Sequence, residues 1–291
     1  MVEAWASIED GCVVGARDSR RIVPWWSFTK TVLAAAALSL VRDGAVALDE
    51  PLEGKPYTLR HLLQHRSGLT NYGGFRPYHE AVERGDEPWQ VPHLLDRLDA
   101  DRLRYPVGEG WAYSNIGYLF VARQIEVATG ADIGEALQRL VLKPLGIEGA
   151  CFARTRADLD SATMGNAAGY HPGWVYHGLL VGPVEEAAYL LDRLFAGDLL
   201  PSDLKQEMLS PLVLPGPVPG RPWAIPGYGL GVMTGQTTGG LKVVGHTGGG
   251  PGSTIAVYRK QEQGNTQTAA YFRTSENEAC TEEEAFALLR D

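Results

Sequence analysis

The 291-residue sequence has little of what several large classes of protein need. Its three cysteines, Cys12, Cys151 and Cys280, are far apart and never in CxxC spacing, so we predict free thiols in a reducing compartment. The longest apolar run is about 14 residues, too short for a bilayer, and the acidic N-terminus lacks a signal-peptide pattern. These absences predict a cytoplasmic protein without a membrane partner, although a chain trimmed of its leader would look the same.

Basic clusters and several catalytic motifs are also missing. The net charge is −9 and no run interleaves basic with aromatic residues, which argues against a nucleic-acid partner. The sequence has no G-x-S-x-G, no H-E-x-x-H, no P-loop and no G-x-G-x-x-G. His61 and His65 have helical i,i+4 spacing, but no acidic third ligand can be placed beside them. We therefore predict no metal and no cofactor.

Periodicity and turn residues predict an α+β fold: an antiparallel sheet flanked by helices, plus an all-helical lobe. The predicted helices are 27–43, 58–66, 89–99, 115–129, 131–142, 181–197 and a last one N-capped by Thr281. The predicted strands are 2–8, 11–17, 230–234, 241–247, 253–260 and 266–273. We predict a discontinuous sheet lobe from 1–55 and 225–291, a helical lobe from 56–224, and an active site in the cleft between them.

A serine and a lysine three residues apart, Ser27 and Lys30, stand at the start of the long apolar helix. A buried ammonium is costly unless it is paired or its pKa falls, so Lys30 is either a satisfied structural residue or the activator of a nucleophile. The same spacing recurs at Ser202 and Lys205. There we interpret Ser202 as a helix N-cap and Lys205 as exposed.

Two further short motifs follow Ser27 and Lys30 in order. One is YSN at 113–115, and the other is HTG at 246–248. Taken singly, these residues have ordinary structural explanations as a half-buried aromatic, a helix cap and a turn. Chance provides all three motifs together about 0.002 times in a sequence of this composition. The conjunction therefore favours catalysis.

The three motifs resemble those of the serine β-lactamase and penicillin-recognising superfamily, and the nearest branch is the class C β-lactamases with their esterase and D-peptidase relatives. The likeness extends to LVRDGAVALDEPL, TLRHLLQHRSGL, YPVGEGWAYSN, KPLGI, YGLGV and GHTGGGPG. It covers most of the chain from about Ser27 to Val257. The resemblance implies a β-lactamase/transpeptidase-like fold.

It also implies roles for particular side chains. Ser27 is the expected nucleophile of an acyl-enzyme, with Lys30 or Tyr113 as the base that accepts its proton. Tyr113 is expected to ionise more readily near cations and to serve as a second proton relay. Asn115 is expected to orient Lys30. The expected substrate-binding residues are Asn115, His246, Thr247, Gly248 and Gly249, with the Ser27 and Gly249 N–H groups as the oxyanion hole.

The third motif departs from the family, because His246 stands where β-lactamases and penicillin-binding proteins usually carry Lys. The loss of a permanent cation favours neutral acyl groups, so the first hypothesis is a serine hydrolase of small esters. Alternatives are a D-amino-acid amidase, a DD-peptidase or a weak β-lactamase, and, in another class, a catalytically silent sensor domain. We also expect His246 to titrate near pH 6.5 and to attract anionic substrates as the pH falls. The partner is a small ester or amide substrate, and the oligomeric state stays open.

Overall fold

The computed structural model describes residues 1–167, 169–260 and 266–290. Eight strands form one antiparallel sheet in the order β2-β1-β11-β10-β9-β8-β7-β6, and three form a small sheet in the order β3-β5-β4. The strands are β1 Glu3–Glu9, β2 Cys12–Arg17, β3 Ile22–Pro24, β4 Cys151–Ala153, β5 Leu179–Pro183, β6 Leu212–Val213, β7 Trp223–Tyr228, β8 Met233–Thr237, β9 Lys242–Gly250, β10 Ser253–Lys260 and β11 Gln267–Arg273.

Helices cover the sheet and fill the middle of the chain, which confirms the α+β prediction. The α-helices are α1 Thr29–Arg42, α2 Leu59–Leu63, α3 Arg76–Glu83, α4 Val91–Arg97, α5 Asn115–Thr129, α6 Ile133–Leu137, α7 Val184–Ala196, α8 Ser202–Leu209 and α9 Glu278–Ala287. Shorter helical turns are Trp26–Phe28, Gln138–Leu142, Arg156–Leu159 and Pro172–Trp174. The sequence prediction missed α3, β6, β7 and the small sheet, and it anticipated α8 only through the interpretation of Ser202 as a helix N-cap.

The central strand β10 is buried along most of its length, because both faces of the sheet are covered there. Along β10, Ile255 and Val257 belong to the larger core, whereas Ala256 and Tyr258 belong to a second core beneath α9. Successive side chains of a strand point to opposite faces, so each face needs its own apolar set. Phe286 of α9 packs against Tyr258 with ring centroids 4.9 Å apart.

Local capping explains where two helices begin. The α5 helix spans the predicted 115–129 because the Ser114 hydroxyl accepts a hydrogen bond from the Gly117 N–H. The prediction of Thr281 as an N-cap is wrong. Asn277 caps α9, accepting from the Cys280 N–H, whereas Thr281 lies inside the helix with its side chain buried. Asn is among the strongest N-caps, and it starts the helix one turn earlier.

The α7 helix packs against the sheet, although its residues fall within the predicted helical lobe. Its Asp192 carboxylate is buried and accepts a 3.0 Å hydrogen bond from Thr268 of β11. The division into two lobes with a cleft between them stays a prediction.

The structure also describes the cysteines and the lengths of the helices, two features that the sequence analysis used. Cys12, Cys151 and Cys280 are free, and the first two are exposed. Within 1–167, 169–260 and 266–290, no helix is both long and apolar enough to cross a bilayer.

Candidate active site

The backbone around Ser27 is held from two sides. Ser27 lies in the turn Trp26–Phe28 that joins β3 to α1, and Trp26 has a φ of 43°, a conformation that costs energy for a bulky residue. The Trp26 indole N–H donates a 3.0 Å hydrogen bond to Ser253 Oγ on β10. A Cβ on Gly248 of β9 would lie 2.8 Å from the Ser27 nitrogen. A glycine is therefore needed where β9 approaches the Ser27 backbone.

Lys30 lies in the first turn of α1 and is fully buried. Its Nζ is 3.0 Å from Ser27 Oγ and 3.1 Å from His177 Nε2. Burial lowers the pKa of Lys30 well below its ordinary value of 10.5, and the negative charge of Glu278 opposes this shift only in part. The free amine that this favours is the form able to accept the Ser27 proton.

Tyr113 completes the cluster from the loop before α5. Its ring centroid lies 5.0 Å from Lys30 Nζ, and its hydroxyl shares a hydrogen bond with Ser27. The expectation that nearby cations would ionise it is wrong. Burial, reinforced by Tyr228, raises the pKa of Tyr113 well above 10.0. Tyr113 is therefore a neutral phenol that can donate a proton.

Asn115 is the first residue of α5 and lines the cleft. Its backbone N–H donates a 3.1 Å hydrogen bond to Asn71 Oδ1. Its own side-chain Oδ1 is buried and has no hydrogen-bond partner within the described residues. In place of the predicted contact from Asn115 to Lys30, the structure puts the ring of His177 beside the amine.

His246 lies in β9, buried and hydrogen-bonded at both ring nitrogens. Nδ1 is 2.7 Å from the Thr247 carbonyl oxygen, which can only accept, so the ring proton is on Nδ1 and Nε2 accepts from the Tyr228 hydroxyl at 2.9 Å. Burial, with a further contribution from Lys30, lowers the pKa of His246 to about 3. The expectation of a titration near pH 6.5 is therefore wrong, because the ring is neutral from pH 6 to pH 8.

Thr247 is tied into a network behind the cleft. Its hydroxyl donates a 2.6 Å hydrogen bond to Glu282 Oε1 and lies 2.7 Å from the Tyr258 hydroxyl. Arg221 also pairs with Glu282, donating through Nε at 2.6 Å, and it pairs with Glu278 as well. The network holds β9 against α9, so the Thr247 side chain has a structural contact in addition to its place on the cleft wall.

Gly249 lies where β9 extends beyond its neighbour β8. The last residue pair between the two strands is Met233 with Gly245, so the edge of 246–250 on that side is not paired with β8. A Cβ on Gly249 would lie 2.5 Å from Glu278 Oε1. The sequence prediction missed Glu278 and Arg221, which no short motif marks.

Two buried histidines were not predicted as parts of the site. His65 lies 4.3 Å from the Tyr113 ring and 4.7 Å from the Tyr228 ring, between centroids, and its Nδ1 accepts from the Ser114 N–H. His177 precedes β5 and contacts Lys30. His61, the other half of the i,i+4 pair, forms a capping box with Thr58, the N-cap residue of its own helix α2. In the part of the chain that the structure describes, no three His, Cys, Asp or Glu residues cluster as metal ligands would.

The cleft has a volume of about 1050 Å³, enough for a drug-sized substrate. Its aromatic wall consists of Trp26, Tyr72, Tyr78, Trp111, Tyr113, Tyr170, Trp174, Trp223 and Tyr228. Both arginines on the wall are already paired, Arg156 with Glu87 and Arg221 with Glu278 and Glu282. The wall is therefore aromatic in large part, with no unpaired arginine or lysine among the described lining residues.

The sequence is similar to those of known proteins. Residues 4–289 match the family described as Beta-lactamase. Esterase EstB of Burkholderia gladioli is 31% identical over an alignment of 146 residues, which covers 43% of this chain and 37% of that protein. Penicillin-binding protein 4* of Bacillus subtilis (strain 168) is 31% identical over an alignment of 134 residues, which covers 42% of this chain and 28% of that protein. The matched part is less than half the length of either relative.

A solved structure extends the similarity over the whole chain. The D-amino acid amidase from Ochrobactrum anthropi SV3 superposes with a TM-score of 0.82 and 22% identity, covering 99% of this chain and 94% of that chain. At this identity the similarity shows the fold, which is β-lactamase/transpeptidase-like.

Proposed function

The chain belongs to the beta-lactamase family, and on that premise we propose that it is a serine hydrolase that acts on small esters through an acyl-enzyme at Ser27. The observation that carries the proposal is the pair Ser27 and Lys30, with Oγ and Nζ 3.0 Å apart and the amine fully buried. A lysine in this position with a lowered pKa is a base for the serine proton. The intact pair also argues against a catalytically silent sensor.

Acylation follows from the two opposite pKa shifts. The Lys30 amine accepts the Ser27 proton while Oγ bonds to the ester carbonyl carbon. The tetrahedral intermediate then collapses, the bond to the leaving oxygen breaks, and the Tyr113 phenol donates a proton to that oxygen. The proton held by Lys30 returns to Tyr113. Water attacks the acyl-enzyme by the same steps in reverse, which regenerates Ser27.

The negative charge of the intermediate needs donors that are fixed before the reaction. The Ser27 N–H is held by the strained turn at Trp26, and the Gly249 N–H belongs to the part of β9 that extends past β8. These two groups are the proposed oxyanion hole. Gly249→Ala would bring a methyl group against Glu278, so this position tolerates no side chain without a shift of that carboxylate.

Charge on the cleft wall favours a neutral acyl group. Both wall arginines are paired, and His246 is neutral at physiological pH because burial lowers its pKa to about 3. A substrate carboxylate, as in β-lactams and in peptides ending in D-alanine, would find no free cation among the described residues of the wall. This is the reason to rank ester hydrolysis above β-lactamase and DD-peptidase activity.

A second candidate is amide hydrolysis of D-amino-acid amides, favoured by Glu278. Arg221 pairs with Oε2 of this carboxylate, whereas Oε1 is the oxygen beside Gly249, where it would hold the ammonium group of such a substrate. The D-amino acid amidase that shares the fold is named for this kind of substrate.

A substrate panel tests the proposal and separates the candidates. We expect turnover of p-nitrophenyl acetate and butyrate, slower turnover of D-phenylalanine amide, and little with nitrocefin or D-alanyl-D-alanine peptides. A fluorophosphonate probe should label Ser27, with the adduct located by mass spectrometry. Labelling at another serine, or no labelling and no turnover, would contradict the proposal.

A further inference from the structure

We propose that His177 is the positioning residue for Lys30, a role that rests on the function proposed above. Its imidazole accepts a hydrogen bond from Lys30 Nζ and so directs the lone pair of the amine at Ser27. The distance from Nζ to His177 Nε2 is 3.1 Å, and the distance from Nζ to Ser27 Oγ is 3.0 Å. His177 is 3% exposed and Lys30 is fully buried, so water does not compete for the contact.

The backbone fixes His177 relative to the nucleophile. His177 stands two residues before β5, which pairs with β3. The Leu180 carbonyl accepts from the Trp25 N–H at 2.8 Å, and the Leu180 N–H donates to Thr29 Oγ1 at 3.1 Å. The segment that carries His177 is therefore hydrogen-bonded to Trp25, before Ser27, and to Thr29, after it. These bonds fix the separation between the imidazole of His177 and the amine of Lys30.

The chemistry of an amine explains why an acceptor is needed. An uncharged lysine has two N–H groups and one lone pair, and it can rotate about its last bond. If one N–H is donated to His177 Nε2, rotation stops and the lone pair is free for the Ser27 proton. The other flanks of Nζ face aromatic rings, Tyr113 at 5.0 Å and Tyr118 at 5.6 Å, which are weak acceptors.

The role requires a neutral His177 ring with its proton on Nδ1, and burial favours the neutral form. Because Nε2 accepts from Lys30, the ring proton must be on Nδ1, which is buried and has no hydrogen-bond partner in the described residues. Burial, with smaller effects of Lys30, His246 and His65, lowers the pKa of His177 well below 6.5. A neutral ring can accept at Nε2, whereas a protonated ring could not.

Other ionisable groups face Lys30 without taking this role. They are Tyr113, Tyr118, His65, His246 and Glu278. His65 Nδ1 accepts from the Ser114 N–H, and both nitrogens of His246 are bonded to Tyr228 and Thr247. Glu278 acts on Lys30 through its charge. Within the described residues, the side chain of Lys30 is hydrogen-bonded to Ser27 and His177.

The first test compares His177→Leu with His177→Gln, whose side-chain oxygen can replace Nε2 as an acceptor. Loss of the acceptor should reduce kcat/KM for p-nitrophenyl butyrate about 10- to 100-fold in His177→Leu. It should also move the acid limb of the pH profile to lower pH. The acceptor stabilises the ammonium form, so its removal lowers the pKa of Lys30 further. His177→Gln should restore the limb and most of the rate.

Controls separate this inference from the proposed function. His93→Leu, at an exposed position on α4, should leave the rate and the profile unchanged. If wild-type Ser27 is not labelled by the fluorophosphonate and no ester is turned over, the proposed function fails. If the wild type is active but both His177 variants keep its acid limb, His177 has a packing role and the inference is overturned.

A second measurement does not depend on activity or on the folding of a variant. Nitrogen-15 NMR of histidine-labelled wild type should show His177 with an unprotonated Nε2 and a protonated Nδ1 at pH 7. A resonance showing protonation at Nε2 would mean that the ring donates to the amine, and that outcome also overturns the inference.

Discussion

The spacing Ser-x-x-Lys occurs twice in this chain, and the two copies have opposite surroundings. Ser27 and Lys30 lie under the cleft, where the amine is fully buried against aromatic rings and an imidazole. Ser202 is the first residue of α8 and is exposed, and the half-buried Lys205 donates to the carbonyl oxygens of Gly197 and Phe195 at 2.9 and 3.5 Å.

The second pair has a structural role, as the sequence indicated, but two details differ. Pro201, and not Ser202, occupies the N-cap, without a side-chain hydrogen bond. Lys205 is not exposed, because it reaches the carbonyls at the end of α7, where a cation is favourable. The comparison teaches that spacing places two side chains on one helical face, whereas the surroundings decide whether the lysine is a base or a cap.

The largest expected effect comes from removing each serine hydroxyl in turn. Ser27→Ala should abolish labelling and lower kcat by about 10⁴-fold or more, since the covalent step has no other nucleophile. Ser202→Ala, its matched control, should keep full activity and change the free energy of unfolding by less than about 0.5 kcal/mol. Loss of activity in Ser202→Ala with retention in Ser27→Ala would reverse the assignment.

Replacement of the lysines should separate activity from stability. Lys30→Met should lower kcat/KM by about 10³-fold, within the range for removal of a general base. Lys205→Met should leave activity intact but destabilise the protein by about 1 kcal/mol, because the carbonyls at the end of α7 lose their donor. Ester assays and urea unfolding on both variants provide the check. A Lys205→Met enzyme with impaired turnover would break the contrast.

Lys30 and Tyr113 are expected to act as one proton pathway. Tyr113→Phe should lower kcat by about 10²- to 10³-fold, because the leaving group loses its proton donor. The double variant Lys30→Met, Tyr113→Phe should be little slower than the poorer single variant, since residues that act as a unit are non-additive. Single-turnover rates of the three variants decide this. Losses that multiply would indicate independent roles.

Stability should depend on pH through Lys30. Its folded-state pKa is lowered from 10.5, so the unfolded chain binds more protons between the two values and the free energy of unfolding rises with pH there. Lys30→Met removes this linkage. The variant should be more stable than wild type by about 1–3 kcal/mol at pH 7, and the gain should shrink toward pH 10. Urea titrations at pH 7, 8, 9 and 10 measure it, and a gain independent of pH would contradict the lowered pKa.

The smallest expected effect concerns His246. With a pKa of about 3 it stays neutral from pH 6 to pH 8, so the ratio of kcat/KM for a neutral and an anionic ester with the same leaving group should change less than about twofold. Any common pH dependence of the base cancels in this ratio. A ratio that moves toward the anionic ester as the pH falls would show that His246 titrates in the cleft.

The sequence alone determined the features that depend on neighbours along the chain. The α5 helix could be predicted to the residue because Gly130 ends it with a φ of 65° and a small polar residue begins it. The strands at 253–260 and 266–273 followed from apolar runs bounded by turns. Ser27, Lys30 and Tyr113 could be named because their spacing and order are themselves the chemical signal.

Tertiary structure decided what depends on residues far apart. His177 is 147 positions from Lys30, and no pattern in HPGWVYHGLL indicates that its ring reaches the amine. The sequence left two alternatives for Lys30, a paired ammonium or an amine of lowered pKa, and it predicted the wrong direction for the pKa of Tyr113 and an unshifted pKa for His246. The pKa shifts of Lys30, Tyr113 and His246 are set chiefly by burial. The segments that exclude water come together only when β5 and β9 lie against the turn Trp26–Phe28 and the start of α1.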